Sequence, residues 1–523
     1  MNKKKIKKLI KSALATTCAV SVITTTSVTA FASNSGENSK EEESNKRVEA
    51  EVYPVPQSLE HSSIEGMTLE GEVNIVYHGE QEEATSKRLE RTLSENNIAF
   101  KVSENVEDGK ANIIVSSEGD HCNVCSEGKE ENSDVLTHKE GYVLKTSNDI
   151  NEKGNISIIG SDKDGAYYGV LTLSQILEQS NEENKFAEVV VTDYPEIEFR
   201  GFIEGFYGVP WSHEDRMNLM KDTSEYKMNT YIYAPKDDPY HRLSWKELYP
   251  EQEAKQIAEL AKAGAENNFN FCWTIHPGAT LQFTDEDFNA LINKFEQLYS
   301  LGVRQFGVLF DDTDDWRNGQ KQAEWINKID TEFVKAKGDV APMIVISARY
   351  NSASGPNMDR YFKPFMQTLH DDIQVMWTGH ATMSNVSKEV FEWPKVQTGV
   401  DKDVAVWWNY PVNDYCDSRI LMAPLHNLNQ DLDNVSGFFS NPMNQAEASK
   451  VALYSIADYT WNTDAFDYMK SWETSIEKFV PEVKEEFMRF ASNTCYLKDD
   501  GGASGPFEYD ESWYLSEKID TLK

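Results

Sequence analysis

Short apolar runs alternate with longer segments of helical periodicity from residue 199 onward. The runs are rich in β-branched and aromatic residues, which is typical of buried strands. They cover residues 200–204, 230–233, 269–275, 305–310, 343–348, 373–377, 404–407 and 437–440. Segments such as 213–226, 251–267 and 285–300 carry apolar residues at helical spacing between them. Eight strand-and-helix units over residues 194–468 predict a closed (β/α)₈ TIM barrel.

The regions on either side of this pattern predict two further parts. Residues 47–193 alternate between strand patterns and helical patterns at 82–96 and 162–179, which predicts a small α/β domain. This domain carries no motif of catalytic chemistry, so we expect it to be a scaffold or a docking module. Residues 469–523 read mainly as helix and predict the start of a C-terminal helical domain. The predicted fold class is therefore α/β with a helical region at the end.

The first residues differ in composition from the rest of the chain. Residues 1–32 combine six lysines, an apolar stretch and the sequence Ala30-Phe31-Ala32, which together predict a secretory signal peptide cleaved after Ala32. Residues 33–46 are rich in Ser, Glu, Asn and Lys and predict a disordered spacer. We therefore expect a secreted, extracellular protein. No other run is apolar enough to insert into a membrane once the signal is removed.

The net charge excludes one class of partner. The whole chain has a formal charge of −36, and subtracting the six lysines of the predicted signal peptide leaves about −42. An electrostatic field of this sign repels nucleic acids and acidic membrane surfaces. Neither is therefore expected as a partner.

The cysteines do not predict a disulfide framework. Five remain after removal of the signal peptide, and they are odd in number and widely scattered. Cys122 and Cys125 follow His121 in a spacing that is half of a zinc site, but no second cysteine pair completes it. We favour a surface loop, with or without one local disulfide, over a zinc site.

The fourth apolar run ends in two consecutive carboxylates, Asp311 and Asp312. Successive strand side chains point to opposite faces, so both acids can reach one cleft only where the strand ends and the chain bends away. Adjacent carboxylates repel each other, and proteins tolerate them mainly where acid/base chemistry needs two different pKa values. The alternative for this stretch alone is an acidic turn or a cation-binding loop.

Polar and aromatic residues follow most of the predicted strands. In a TIM barrel the active site lies at the C-terminal ends of the strands, so these residues are the candidate site. They lie at residues 204–208, 234–238, 311–312, 349–351, 377–379, 407–410, 414–415 and 441–442. Aromatic rings cover the apolar faces of a sugar, while Asp and Asn bind its hydroxyls, so this set indicates a carbohydrate site. Taken singly, Trp377, Trp407 and Trp408 could equally belong to the core.

Several long stretches carry a specific resemblance. Residues 200–211 read Arg-Gly-Phe-Ile-Glu-Gly-Phe-Tyr-Gly-Val-Pro-Trp, and further matching stretches lie at 228–242, 311–312, 376–379, 407–415 and 441–443. The chain resembles glycoside hydrolase family eighty-four over roughly residues 53–467. That family contains bacterial β-N-acetylglucosaminidases, often labelled hyaluronidases, and the protein O-GlcNAcases. The sequence differs from the family pattern at Arg349 and at His380. These differences affect the leaving-group preference that the resemblance implies.

The resemblance implies a retaining hydrolysis in which the substrate's own 2-acetamido oxygen is the nucleophile. Asp311 would accept the acetamido N–H and stabilise the oxazolinium intermediate, and Asp312 would be the general acid and then the base. Tyr350 would hydrogen-bond to the intermediate. Substrate binding would fall to Gly205, Lys236, Trp407, Asn409, Asp414 and Asn441. The resemblance implies neither a metal nor an organic cofactor.

The expected function is therefore that of an exo-acting β-N-acetylglucosaminidase that releases terminal GlcNAc from glycans or glycoproteins. An endo-acting hyaluronidase is one alternative, disfavoured because hyaluronan is a polyanion and the chain is strongly acidic. A non-catalytic glycan-binding adhesin on the same scaffold is the other. The presence of both Asp311 and Asp312 argues against it.

Overall fold

The computed structural model of the protein describes residues 48–117, 134–148, 154–313, 318–354, 358–416, 418–497 and 509–510. The predicted signal peptide and spacer lie outside the described residues, and so do Cys122 and Cys125. Cys272, Cys416 and Cys495 are free thiols. In the ranges above, no helix combines the length and the apolar character needed to cross a membrane.

A mixed seven-stranded sheet forms the first part of the molecule. Its elements are β1 (Ser58–His61), β2 (Val73–His78), α1 (Glu83–Glu95), β3 (Phe100–Val102), β4 (Asn112–Ser116), β5 (Tyr142–Ser147), β6 (Asn155–Gly160), α2 (Lys163–Glu178) and β7 (Val189–Asp193). The strand order is β1-β7-β5-β6-β4-β2-β3, parallel from β6 to β3 and antiparallel elsewhere. The sequence predicted this α/β domain but not β1 and β3, which are short and only partly buried.

The second part is a closed barrel of eight parallel strands, which confirms the predicted fold class. Its elements are β8 (Phe199–Ile203), α3 (His213–Ser224), β9 (Thr230–Tyr233), α4 (Glu251–Glu266), β10 (Asn270–Ile275), α5 (Asp285–Ser300), β11 (Gln305–Leu309), α6 (Gly319–Ile329), β12 (Ile344–Ile346), α7 (Lys363–Thr368), β13 (Gln374–Trp377), α8 (Lys388–Thr398), β14 (Val404–Trp408), β15 (Val435–Ser440) and α9 (Ala446–Trp461). One unit differs from the prediction, because the described residues between β14 and β15 contain no helix.

Irregular turns and a short C-terminal segment complete the fold. π-Helical turns lie at Asp330–Val334, which leads into a last helical turn at Lys335–Lys337, and at Met358–Phe362. 3₁₀ turns lie at Val135–Thr137, Gly278–Thr280, Ser352–Ser354 and Pro481–Val483. Helices α10 (Tyr468–Phe479) and α11 (Lys484–Ala491) follow the barrel. After them β16 (Tyr496–Leu497) pairs with β17 (Tyr509–Asp510), so this region is not purely helical.

Strand parity decides which large side chains face the barrel interior. The interior cluster contains Phe199, Ile203, Ile232, Ala234, Cys272, Leu309, Ile344, Ile346, Met376, Ala405, Trp407 and Phe439. Trp377 and Trp408 lie on the outer side and are buried between strands and helices. Of the three tryptophans considered from the sequence, only Trp407 therefore reaches the interior.

A buried ion pair joins the small domain to the barrel. Lys227 precedes β9 and Asp193 ends β7; both are fully buried, and Nζ lies 2.8 Å from Oδ2. The Tyr142 hydroxyl donates to the same carboxylate, and the Trp461 indole N–H donates to its other oxygen. Removing one partner of a buried pair costs about 3–5 kcal/mol, because the other charge is left unpaired. The pair therefore makes the stability of each part depend on the other.

A second buried acid at this junction predicts a pH-dependent stability. Asp458 of α9 is buried and accepts a hydrogen bond of 2.9 Å from the Val55 amide, and burial raises its pKa to about 6. Because this value exceeds that of the unfolded chain, the stability that Asp458 contributes at low pH is lost as the pH rises through 6. The free energy of unfolding of Asp458→Asn, relative to that of wild type, should therefore be about 1 kcal/mol higher at pH 8 than at pH 5.

Urea unfolding of both proteins at the two pH values measures this difference. Asp108→Asn, at an exposed position, is the control and should behave alike at both. An Asp458→Asn effect that is equal at pH 5 and pH 8 would contradict the assignment.

Candidate active site

A cavity of about 370 Å³ lies at the C-terminal ends of the barrel strands. It brings together all nine residues to which the resemblance assigns a role, which are Gly205, Lys236, Asp311, Asp312, Tyr350, Trp407, Asn409, Asp414 and Asn441. Seven further residues line it: Tyr207, Ile346, Thr378, Thr382, Met383, Val412 and Tyr415. Ligand sites usually span roughly 300–1,000 Å³, so this cavity suits a small unit such as one sugar ring.

Asp311 is buried in the floor of the cavity. Its Oδ2 accepts a hydrogen bond from Lys236 Nζ at 3.3 Å. Within the described part of the chain, no group donates a hydrogen bond to Oδ1, although this atom is buried. A buried carboxylate oxygen without a donor is costly, so the site is organised to receive an N–H or O–H from a ligand.

The charge state of Asp311 follows from its neighbours. Burial alone raises the pKa of a carboxyl group, but the Lys236 ammonium and His276 oppose it and hold the pKa of Asp311 below its usual value. His276 Nε2 lies 2.7 Å from the Asp311 main-chain oxygen and 3.7 Å from Oδ1. Asp311 is therefore a carboxylate at neutral pH and can accept a proton-bearing group but not supply a proton.

Asp312 has a different environment from its neighbour. It is exposed to the cavity, and its two oxygens accept hydrogen bonds from the hydroxyls of Tyr350 at 3.0 Å and Tyr207 at 3.1 Å. Its backbone is left-handed, with φ of 55°. This bend past the end of β11 lets both carboxylates enter one cavity, as the sequence predicted. Burial and the charge of Asp312 raise the pKa of Tyr350, so its hydroxyl remains a donor at neutral pH.

Amide side chains form the wall opposite the acids. Asn409 Oδ1 accepts hydrogen bonds from the Trp407 indole N–H at 2.8 Å and from Asn441 Nδ2 at 2.9 Å. Asn441 Oδ1 in turn accepts from the Gly205 amide at 3.2 Å. These bonds fix the ring of Trp407 and join the ends of three strands. The side chains of this wall are therefore held in position by one another and do not need a ligand to order them.

Two residues that contact Asp311 or Asp312 had no role assigned to them from the sequence. Tyr207 contacts Asp312 through its hydroxyl, and its amide donates to Asp414 Oδ2 at 2.9 Å. His276, which reads from the sequence as part of a structural turn, contacts Asp311. Both follow predicted strands, so the rule that identified the other candidates applies to them as well.

A group with the geometry of a metal site lies elsewhere. Asp330, His370 and Asp372 place ligand atoms within 4.8 Å of one another. The Lys335 ammonium lies 2.7 Å from Asp330 and 3.1 Å from Asp372, so the carboxylates already have a cationic partner. His370 and Asp372 immediately precede β13 and therefore lie at the opposite end of the barrel from the cavity.

Comparison with known families explains this geometry. A family model described as beta-N-acetylglucosaminidase matches residues 200–492, which is more than half of the chain. The chain belongs to this family. The resemblance to glycoside hydrolase family eighty-four is thereby confirmed. A second model, for domain 2 of glycosyl hydrolase family 20, matches residues 49–194 in the small α/β domain.

Individual relatives agree with this assignment. The solved structure titled CpGH84B is 37% identical, covers 91% of this chain and 80% of its own, and gives a TM-score of 0.79. A mutant O-GlcNAc hydrolase of Thermobaculum terrenum is 26% identical with a TM-score of 0.55, over 62% of this chain and 71% of its own. Protein O-GlcNAcase of Mus musculus is 31% identical over half of this chain. The matched segment spans only 29% of that mouse protein.

The position of Gly205 generates a prediction about the cavity wall. A Cβ added at Gly205 would lie 2.8 Å from Cζ2 of Trp407, closer than carbon atoms pack. Gly205→Ala should therefore displace the ring and weaken binding of N-acetylglucosamine about tenfold, since overpacking typically costs about 1–3 kcal/mol. Isothermal titration calorimetry measures the affinity.

Gly338→Ala is the matched control for this substitution. Gly338 has a positive φ and open space around its Cα, so alanine there strains the backbone away from the cavity. It should lower stability and leave the affinity unchanged. Equal affinities of Gly205→Ala and wild type would show that the position of the Trp407 ring does not affect sugar binding.

Proposed function

We propose that this protein is a retaining, exo-acting β-N-acetylglucosaminidase of the O-GlcNAcase type. It would remove terminal β-linked GlcNAc from glycans or glycoproteins by substrate-assisted catalysis through an oxazoline intermediate. The observation that carries the proposal is the contrast between two consecutive acids. Asp311 is buried and ionised and its Oδ1 has no donor among the described residues, whereas Asp312 is exposed. Membership of the beta-N-acetylglucosaminidase family supports it.

In the first step the acetamido group of the sugar attacks its own anomeric carbon. Asp311 Oδ1 would accept the acetamido N–H, which orients the acetamido oxygen and stabilises the positive charge that develops on the ring being formed. Lys236 holds the other oxygen of Asp311. These two contacts suit a carboxylate that remains ionised throughout the reaction. A protonated Asp311 would stabilise the positive charge of the forming ring less.

Proton transfer falls to the second carboxylate. Asp312 would protonate the glycosidic oxygen as the aglycone leaves and would then take a proton from the water that opens the oxazoline. Its exposure to the cavity suits a group that must meet both the aglycone and water. Tyr350, whose hydroxyl already lies 3.0 Å from Asp312, would donate to the intermediate. Asn409, Asp414 and Asn441 would bind the hydroxyls and the acetamido group.

The charge of the cavity favours a neutral sugar over a uronic acid. Among the described residues that line it, three carboxylates, Asp311, Asp312 and Asp414, accompany one cation, Lys236. Lys236 is already paired with Asp311. A polyanion such as hyaluronan would meet repulsion both here and from the whole chain. We therefore retain the hyaluronidase activity only as an alternative.

We also propose that the protein acts outside the cell. Support comes from the lysine-rich start, the apolar stretch and the Ala30-Phe31-Ala32 sequence, together with the strongly acidic remainder of the chain. Extracellular glycoproteins and glycans are the substrates consistent with that location. The N-terminal sequence of the exported protein would test the cleavage after Ala32.

The two carboxylates should respond differently to substitution. Asp312→Asn should lose less than about tenfold in kcat/KM on an aryl β-N-acetylglucosaminide, whose leaving group needs little protonation. It should lose about 10²–10⁴-fold on an alkyl glycoside, which needs an acid. Asp311→Asn should lose about 10²–10³-fold on both substrates, because it removes charge stabilisation and not a proton.

Asp339→Asn is the control for both variants. Asp339 binds Arg304 and Tyr299, which both precede β11 at the N-terminal end of the barrel, and its loss should leave both rates unchanged. Equal losses for Asp312→Asn on the two substrates would refute its role as the acid. Binding of N-acetylglucosamine without any turnover by wild type would favour the adhesin. Cleavage of internal bonds in hyaluronan oligosaccharides would favour the hyaluronidase.

A further inference from the structure

The loop after β8, residues 204–211, is closed at its base by a buried carboxylate. Glu204 is fully buried, and its Oε1 accepts a hydrogen bond of 3.2 Å from the main-chain amide of Trp211. The two ends of the loop are thus joined through one side chain. We refer to residues 204–211 as the β8 loop.

Glu204 is held in place by three further donors from outside the loop. Arg216 of α3 donates from Nε to Oε2 and from Nη2 to Oε1, both at 2.8 Å, in a two-pronged pair. The Tyr231 hydroxyl of β9 donates to Oε2 as well. Bidentate arginine–carboxylate pairs are the most directional ion pairs in proteins. The base of the β8 loop is therefore fixed to a helix and to the neighbouring strand.

A second tie connects the β8 loop to the loop after the neighbouring strand, β15. The indole N–H of Trp211 donates to the main-chain oxygen of Met443 at 3.0 Å. Met443 lies two residues after Asn441, which lines the cavity. The loops that follow the first and the last barrel strand are consequently held together at Trp211.

The middle of the β8 loop supplies part of the candidate site. The Gly205 amide donates to Asn441, and the Tyr207 amide donates to Asp414. The Tyr207 hydroxyl donates to Asp312 Oδ2 at 3.1 Å. Its ring is half-exposed and has the Lys236 ammonium 5.2 Å from its centroid, so packing holds this side chain only in part. The position of Tyr207 therefore depends on how firmly the ends of its loop are fixed.

We propose that Glu204, clamped by Arg216, is a positioning residue that aligns Asp312 through Tyr207. Glu204 touches neither the cavity nor a substrate, so its effect is carried by the β8 loop. The inference rests on the proposed function, because it assigns a means of alignment to the proposed general acid. According to this inference, the reaction depends on a residue that lies outside the cavity.

Glutamine is the informative substitution at Glu204. Its shape matches glutamate, but one of the two oxygens becomes an NH₂ group, which donates and cannot accept from Arg216, Trp211 or Tyr231. Glu204→Gln therefore releases the clamp while leaving the volume of the side chain unchanged. A displacement of about 1 Å at a reacting group can lower the rate about 10²-fold.

The experiment compares kcat/KM for an alkyl and an aryl β-N-acetylglucosaminide in each variant and takes their ratio. The amount of folded enzyme cancels in this ratio, so a loss of stability alone does not change it. Glu204→Gln should lose about 10²-fold on the alkyl glycoside and less than about tenfold on the aryl glycoside, because only the former needs an aligned acid. The ratio should thus shift at least about tenfold.

Glu140→Gln is the matched control. Glu140 is also buried and also paired with an arginine, Arg200, at 2.7 Å, but this pair lies at the other end of the barrel, where the start of β8 meets the small domain. It should lose stability and keep the wild-type ratio. Arg216→Lys, which keeps the charge and loses the two-pronged geometry, should shift the ratio in the same direction as Glu204→Gln and decides the matter if the latter fails to fold.

A double-mutant cycle tests the route through Tyr207. Tyr207→Phe alone should reproduce the shift in the ratio, and adding Glu204→Gln should change it little further. An unchanged ratio in Glu204→Gln and Arg216→Lys, or an equal shift in Glu140→Gln, would overturn the inference while leaving the proposed function intact. Failure of wild type to hydrolyse either substrate would instead overturn the proposed function.

Discussion

Asp311 and Asp312 are consecutive residues, and yet both carboxylates face one cavity. Strand geometry would send their side chains to opposite sides, so the chain ends β11 at Leu309 and gives Asp312 a left-handed backbone. Such a conformation costs a residue other than glycine about 1–2 kcal/mol. Hydrogen bonds from Tyr207 and Tyr350 to Asp312 offset part of this cost. The conformation of residue 312 therefore depends on loops that follow β8 and β12.

The same constraint explains why the two acids have unlike partners. Asp311 is buried beside an ammonium group, and that fixed charge keeps it ionised. Asp312 is exposed and accepts hydrogen bonds from two neutral phenols, which add no positive charge of their own. If a lysine lay beside each acid, both carboxylates would be held in the ionised state. Different surroundings are the general way in which one site gives two carboxylates different roles.

Features that follow from local or periodic physical rules could be predicted from the sequence. The alternation of runs predicts the barrel, and the barrel rule then places Lys236, Asn409 and Asn441 around one cavity. Periodicity cannot say whether Trp407 or Trp408 faces inward, because that depends on the register of β14 against its neighbours. The role proposed for Glu204 could not be predicted from the sequence either. Its partners are 7, 12 and 27 residues away in the sequence, and only the folded chain brings them together.

The molecule separates the interactions that stabilise it from those that serve the cavity. The buried pair of Lys227 and Asp193 lies beside the small domain, at the N-terminal ends of the strands, whereas the cavity lies at their C-terminal ends. Because the pair ties the small domain to the barrel without touching a cavity residue, the small domain can be essential for folding and still contribute no group to the chemistry. The absence of catalytic motifs in residues 47–193 is then expected. A buried scaffold contact needs charge complementarity and packing, and neither produces a sequence motif.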